Sequence, residues 1–445
     1  KAYVKVGTSA AAQESTVGGT VSGAGSVILT KTTSITATAK SGFTFTGWFV
    51  GTDFTKEAAE TTATMTTAAM TTAGQTYSAL FTANAYTVTV HNGAGKGTVG
   101  VGATGTTASG SFFVVTSALE TQNVTINAVA ETGYTFVGWF TDSALSASAS
   151  TLATYTFAMT AGNKDFYAKF TVNKYTIIFN SNKPTRATTN VTGSTASQPM
   201  TYDIAVTLNA NGFELVGWAF VNWNTAAAGT GTKYDNEQEV SKLNATDGGV
   251  VNLYAQWTAN SYTIIFNSNK PAGASTTMAG SMANLPMTYD TAKALTAIGF
   301  TLPGYHFLGW ATSAAGNKVY DNGEEVNNLV TSGTFNLYAK WAANTYTVEY
   351  NVNGGTGTTT SSTHTFDTAK ALTANGFTKT GYSFAGWNTQ ADGKGTGYAD
   401  NTSVLNLTTT SGGKVTLYAQ WGTKTFDVAF DPNYTGATVT SKTFT

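Results

Sequence analysis

The side chains of this 445-residue chain that titrate near neutral pH are three histidines, His91, His306 and His364, and cysteine is absent. A zinc site needs ligands at short fixed spacing, and neither His-Glu-x-x-His nor any spaced histidine pair occurs. The three are therefore read as surface or turn histidines. A Gly-x-Ser-x-Gly nucleophile elbow is missing as well. Gly100-Val-Gly-Ala-Thr-Gly105 fits a dinucleotide fingerprint, but it lies in a Thr/Gly-rich stretch with no helix pattern after it, so its glycines are assigned to a loop. Gly93-Ala-Gly-Lys-Gly97 lacks the upstream glycine of a phosphate loop. Asp392-Gly-Lys-Gly395 lacks the acidic ladder of a calcium loop and reads as a tight turn. These motifs give no catalytic residue, cofactor or metal site, and the chain is expected not to be an enzyme.

Aromatic and lysine chemistry remain. Exposed Trp and Tyr stack on sugars, and Trp223, in Ala219-Phe-Val-Asn-Trp-Asn224, has no counterpart elsewhere in the chain. It is the candidate for an exposed partner contact. Lys169 and Lys340 could enter a self-formed crosslink to a carboxamide. Gln256 and Gln420 replace them in the equivalent strands, however, which points to an outward position.

The elements that position these residues recur. Gly-Trp follows an aromatic segment five times, at Trp48, Trp139, Trp218, Trp310 and Trp387. A closing aromatic comes 31 to 39 residues later, at Phe81, Phe170, Trp257, Trp341 and Trp421. An alternating strand opens each unit at Tyr3, Tyr86, Tyr175, Tyr262, Tyr346 and Phe426, 80 to 89 residues apart. That period exceeds a solenoid repeat and suits a small domain with its own core. The expected modules are 1–83, 84–172, 173–259, 260–343 and 344–423, with 424–445 an incomplete sixth. Linkers as short as Thr82-Ala-Asn-Ala85 should limit bending between them.

Each module reads as mainly β, from the period-two alternation of segments such as Tyr262-Thr-Ile-Ile-Phe266. Glycine before tryptophan suggests a bulge that turns the indole into the core. The expected core residues are Trp48, Trp139, Trp218, Trp310 and Trp387, with Trp257, Trp341 and Trp421 from the closing strands. Units three to five carry Tyr202-Asp203, Tyr289-Asp290 and Phe366-Asp367, where aspartate could cap one helical turn. Units one and two have strand-like 34–39 and 123–129 instead, so the array has two subtypes.

Only 11% of residues are charged and the net charge is −1, so no basic field exists for nucleic acid or an anionic membrane. No apolar run approaches a membrane span; residues 111–116 come nearest. The first residue is Lys1 and no basic-then-apolar leader is present. The segment 426–445 reads as two strands, which alone are marginal in water. Either it belongs to a sixth module of a longer polypeptide, or it is a strand donated to a neighbouring copy through Phe426, Val428, Phe430 and Val439.

Tyr346-Thr-Val-Glu-Tyr-Asn-Val-Asn-Gly-Gly355, Thr380-Gly-Tyr-Ser-Phe-Ala-Gly-Trp-Asn-Thr389, Ala391-Asp-Gly-Lys-Gly395 and Val415-Thr-Leu-Tyr-Ala-Gln-Trp421 resemble the Listeria–Bacteroides repeat, also called the internalin B-repeat. Units three and four resemble it as well, and units one and two resemble its divergent form. The resemblance implies elongated tandem β-grasp-like (α+β) modules without catalytic residues. They serve as stalk or spacer in extracellular proteins of the bacterial surface, or secreted ones, often adhesins. Two alternatives stay open: a polymerising fibre subunit joined to itself by the C-terminal strand, and modules that bind a glycan or host receptor directly.

Overall fold

The computed structural model describes residues 2–5, 13–14, 18–23, 33–67, 76–93, 95–102, 112–120, 122–431, 433, 435–436 and 438–445. All regular structure among them is β-strand. The chain forms two compact units, the first of Lys1–Asn182, Ser194–Gly212 and Asn222–Ala255, the second of Lys183–Gly193, Phe213–Val221 and Gln256–Thr445.

In the second unit, the opening strand Ser261–Asn267 alternates, burying Tyr262, Ile264 and Phe266 and turning Thr263 and Ile265 outward. It lies parallel to the closing strand Gly333–Ala343, with Tyr262 opposite Gly333 and Asn267 opposite Tyr338. Leu285–Thr288 pairs antiparallel on one side of this pair and Tyr305–Ala311 on the other. Parallel neighbours need a long crossover. Here the crossover carries both flanking strands and two ladders of two residues each, Ala279–Gly280 with Phe300–Thr301 and Lys293–Ala294 with Glu325–Val326.

The central strand bulges where the sequence places Gly-Trp. Register slips between Phe307 and Gly309, and Gly309 has φ 145° with its would-be Cβ 2.5 Å from the Tyr320 carbonyl oxygen. Only glycine fits there. The slip turns Trp310 fully inward, where it packs against Phe266 at 4.8 Å and edge-on to Phe307 at 5.0 Å. The segment 345–423 repeats the plan, with its slip between Phe384 and Gly386 and Trp387 buried beside Tyr350.

In the first unit, Ala85–His91 again lies parallel to a closing strand, Lys164–Val172, in a five-stranded sheet. A second sheet of Thr154–Ala158, Asn123–Ala130 and Gly97–Val101 stands where the second unit has short ladders. The described residues between 2 and 83 follow the same plan, with Thr33–Ala39 in the middle of the second sheet. The two subtypes thus differ in this layer.

The helical turn expected after Asp203, Asp290 and Asp367 is not formed. A two-residue turn leads into the short strands Val206–Thr207, Lys293–Ala294 and Lys370–Ala371. Asp290 and Asp367 adopt φ 56° and 60°, and their carboxylates bond to groups outside their own turn, so none remains to cap a helix. Phe426–Phe430 pairs with Thr440–Phe444 as a two-stranded hairpin. Phe426, Val428, Phe430, Val439 and Phe444 are all exposed.

Candidate functional site

The sequence-derived candidates separate into core and joint. Trp48, Trp139, Trp310 and Trp387 are buried in their repeats. Trp257, Trp341 and Trp421 are partly buried. The Trp341 indole donates to the Ser268 carbonyl at 2.8 Å and that of Trp421 to Asn353 at 3.1 Å. Trp223 is not an exposed contact: none of its surface reaches solvent, and it packs against Phe179 at 4.7 Å as Trp310 packs against Phe266. It is the core tryptophan of the third repeat, with Asn222 where the others have glycine. Trp218 matches Tyr305 instead. Its N–H bonds Leu215 as that of Tyr305 bonds Leu302, and it packs with Ala187, Leu215 and Tyr289. Spacing carried the signal: Trp223 lies 34 residues before Trp257, within the 31 to 34 of the other repeats, whereas Trp218 lies 39 before it.

The histidines are not brought together, and among the described residues no group of three metal-ligating side chains forms. His91 stacks on Tyr167 at 4.2 Å with Nε2 3.0 Å from Asp165. His364 is fully buried, contrary to its reading as a surface or turn residue; burial, with Lys370 nearby, pushes its pKa down. Gly100 lies within strand Gly97–Val101, while 103–105 of the fingerprint fall outside the described residues. So do Ala94, Ser111, Ala437 and the Tyr3 side chain. Lys169 rests over the Phe140 ring at 5.4 Å.

The polar constellation that recurs is the joint between repeats. Its hinge is a single asparagine. Asn344 is buried, donates its N–H to the Gly304 carbonyl at 2.8 Å and accepts from the Phe366 N–H at 2.9 Å. Its side chain donates to the Thr409 carbonyl at 2.8 Å and meets His306 Nδ1 at 2.8 Å. Asn173 and Asn260 make the same pair of backbone bonds, to Gly133 with Tyr202 and to Gly217 with Tyr289. One residue thus ties its chain to the repeat before it and the repeat after it.

On each of those glycines lies the aromatic ring of the next repeat. A Cβ at Gly133, Gly217 or Gly304 would stand 2.0, 2.2 or 2.3 Å from the ring of Tyr202, Tyr289 or Phe366. All three glycines have φ near 80°, so both space and backbone demand glycine. The following aspartate reaches back to the earlier repeat. Asp367 accepts from the Ser275 N–H at 2.9 Å, Ser275 Oγ at 2.5 Å and the Tyr305 hydroxyl at 2.9 Å, and from Asn406 of its own repeat at 2.6 Å. Asp290 does the same with the Thr188 N–H and Oγ1, Trp218 Nε1 at 2.9 Å and Asn328 at 2.7 Å.

Burial pushes both carboxyls up, but these donors outweigh it and hold each at about 2. Asp203 has a different set: the Tyr134 hydroxyl, Lys242 at 3.2 Å and Lys96 at 3.4 Å. Its pKa is lowered first by Tyr134 and then by Lys242, against a smaller opposing push from burial. In the joint between the first two repeats Asn84 still bonds Gly42, but Glu120 lies on that glycine and accepts from Ser41 at 2.7 Å. Chemically these sites hold carboxylates in place.

Comparison with known proteins agrees with this plan. Residues 86–169, 175–256, 262–340 and 346–420 match the family model described as the Listeria–Bacteroides repeat domain, and 10–85 match the divergent InlB B-repeat domain. The second repeat, 84–172, read above as divergent, thus matches the main form. A "Putative Gly-rich membrane protein" of Evansella cellulosilytica is 29% identical over 324 residues, 68% of this chain and 32% of that protein. A "Putative membrane protein" of the same organism is 27% identical over 65% of this chain and 38% of its own length. Internalin H of Listeria monocytogenes is 30% identical over 39% of this chain and 31% of its own. The chain spans about a third of the length of these relatives. A solved structure titled "The Bacillus anthracis TIE protein" aligns over 69% of this chain and 59% of that one at 8% identity and TM-score 0.30, a likeness too slight to bear on fold or function.

Proposed function

The chain belongs to the Listeria–Bacteroides repeat family, and from that premise we propose that it works as a non-enzymatic stalk of a bacterial surface protein, outside the cell, holding an adhesive region away from it. The observation that carries this reading is the repeated joint. A spacer transmits distance only if consecutive repeats do not swivel freely. The asparagine hinge, the ring on glycine and the bonded carboxylate each remove freedom between neighbours. Relatives named as membrane proteins and an internalin support a surface setting. Of the Gly-Trp aromatics, which a sugar platform would have to expose, Trp48, Trp139, Trp310 and Trp387 are in the cores and Trp218 is buried in a joint.

A second reading rests on the C-terminal hairpin. Its exposed Phe426, Val428, Phe430 and Val439 suit pairing with another copy, which would make the chain a fibre subunit. The test is to apply the purified chain to a glycan array and to host-cell surfaces, and to follow its mass by analytical ultracentrifugation. A monomer that binds neither is expected of a stalk. Saturable binding by the repeats would replace the stalk with an adhesin, and concentration-dependent polymers lost on deleting 426–445 would replace it with a fibre subunit.

A further inference from the structure

Each of the three joints occupied by an aspartate draws on three features of the earlier repeat: a left-handed glycine, a polar aromatic directly after it, and a second donor. At the Asp203 joint these are Gly133, Tyr134 and Lys96, with Lys96 Nζ 4.9 Å over the Tyr134 ring. The fifth repeat presents the same set. Gly381 has φ 81°, Tyr382 follows it, and Lys379 Nζ stands 4.4 Å over the Tyr382 ring. The Lys424 N–H bonds the Gly381 carbonyl at 3.1 Å, the bond that the hinge asparagines make to their glycines. Yet Tyr382 is 37% exposed, and among the described residues a Cβ at Gly381 would meet nothing within 4 Å.

We propose that Gly381, Tyr382 and Lys379 form a docking socket for the aromatic–aspartate turn of a further repeat built onto strand Phe426–Phe430. The inference rests on the joint reading above and extends it to a face that no comparison assigns. Register supports the occupant. In the three occupied joints the opening aromatics Tyr175, Tyr262 and Tyr346 pair with Met200, Met287 and His364, and the docking ring comes two residues later. Phe426 pairs with Phe444 in the same way, so a turn leaving that strand reaches the socket with its ring two positions after Phe444. The ring would cover Gly381. The carboxylate would lie between the Tyr382 hydroxyl and Lys379, as that of Asp203 lies between Tyr134 and Lys96. A basic residue in place of the aspartate would be repelled by Lys379.

The test lengthens the full chain by a copy of its own residues 366–423, joined directly after Thr445, so that the added Phe-Asp falls in register. The probe is acylation of Lys379 by an amine-reactive reagent, read by mass spectrometry, with the exposed Lys394 as internal control. In the lengthened chain Lys379 labelling is expected to fall about tenfold, which corresponds to about 1.4 kcal/mol of docking. A second version, carrying Phe366→Ala and Asp367→Asn in the added copy only, should restore the original rate. Unchanged Lys379 labelling in the first version, whether or not the added segment folds, overturns the socket, and so does equal protection in both versions. Either result leaves the stalk reading to its own binding and mass measurements.

Discussion

At the Asp203 joint the carboxylate faces two lysine ammoniums and a phenol, whereas at Asp290 it faces a hydroxyl, an indole N–H, a carboxamide and a backbone N–H. Asp203 is an exposed residue whose side chain is 28% accessible, whereas Asp290 is buried at 8%. The ring on glycine is common to both, so the apolar contact stays constant while the polar half varies. The difference follows from solvent. A partly wetted carboxylate can be held by mobile ammoniums, whose attraction water and salt weaken. A buried one needs short directional donors from neutral groups, because a buried lysine would carry its own desolvation cost.

The comparison first requires that joints and cores be separate devices. Trp223→Ala should cost its repeat about 3–5 kcal/mol, the range for emptying a buried aromatic site. Trp218→Phe, which keeps the packing and removes the bond to Asp290, should cost distinctly less. Chemical denaturation of the two variants decides this, and equal losses would merge core with joint. Next comes the carboxylate itself. Asp290→Ala leaves the Thr188, Trp218 and Asn328 donors unmatched and should cost about 1.5–3 kcal/mol. Asp203→Ala, whose lysines can turn to water, should cost less, and a reversed order would undo the contrast.

Acid gives a smaller, graded effect. The folded pKa of Asp290 and Asp367 lies below the usual carboxylate value of about 3.9. Their contribution is therefore complete above that value and is lost as pH falls through about 2. Melting temperatures of the native chain and Asp290→Asn should differ at pH 6 and converge by about pH 2; a constant difference would mean that the carboxylate charge does not matter. Salt should produce the smallest change. Raising ionic strength from about 0.15 M to 1 M shortens the Debye length from about 8 Å to 3 Å. Hydrogen exchange should then quicken around Tyr202 and not around Tyr289.

Much of a single repeat was legible in the sequence because its signals are local. Alternation located the opening and closing strands, and Gly-Trp marked the bulge at Gly309 and Gly386. The third repeat misled because two dipeptides compete there: Gly217-Trp218 has the letters of the motif, while Asn222-Trp223 has its position. The joints were not legible, although Tyr-Asp recurs at Tyr202-Asp203 and Tyr289-Asp290. Asp290 finds Thr188 102 residues away and Asp367 finds Ser275 92 away, and no periodicity encodes a partner at that range. The legible trace was the glycine before Tyr134, Trp218 and Tyr305, which demands something close overhead.

The parallel pairing of opening and closing strands also sets how a repeat meets tension. The chain enters at the start of Ser261–Asn267 and leaves at the end of Gly333–Ala343, and these two strands are direct neighbours running the same way. Pulling the two linkers apart therefore slides one strand along the other in shear. All the bonds between them are loaded at once, and none can be peeled open from an end.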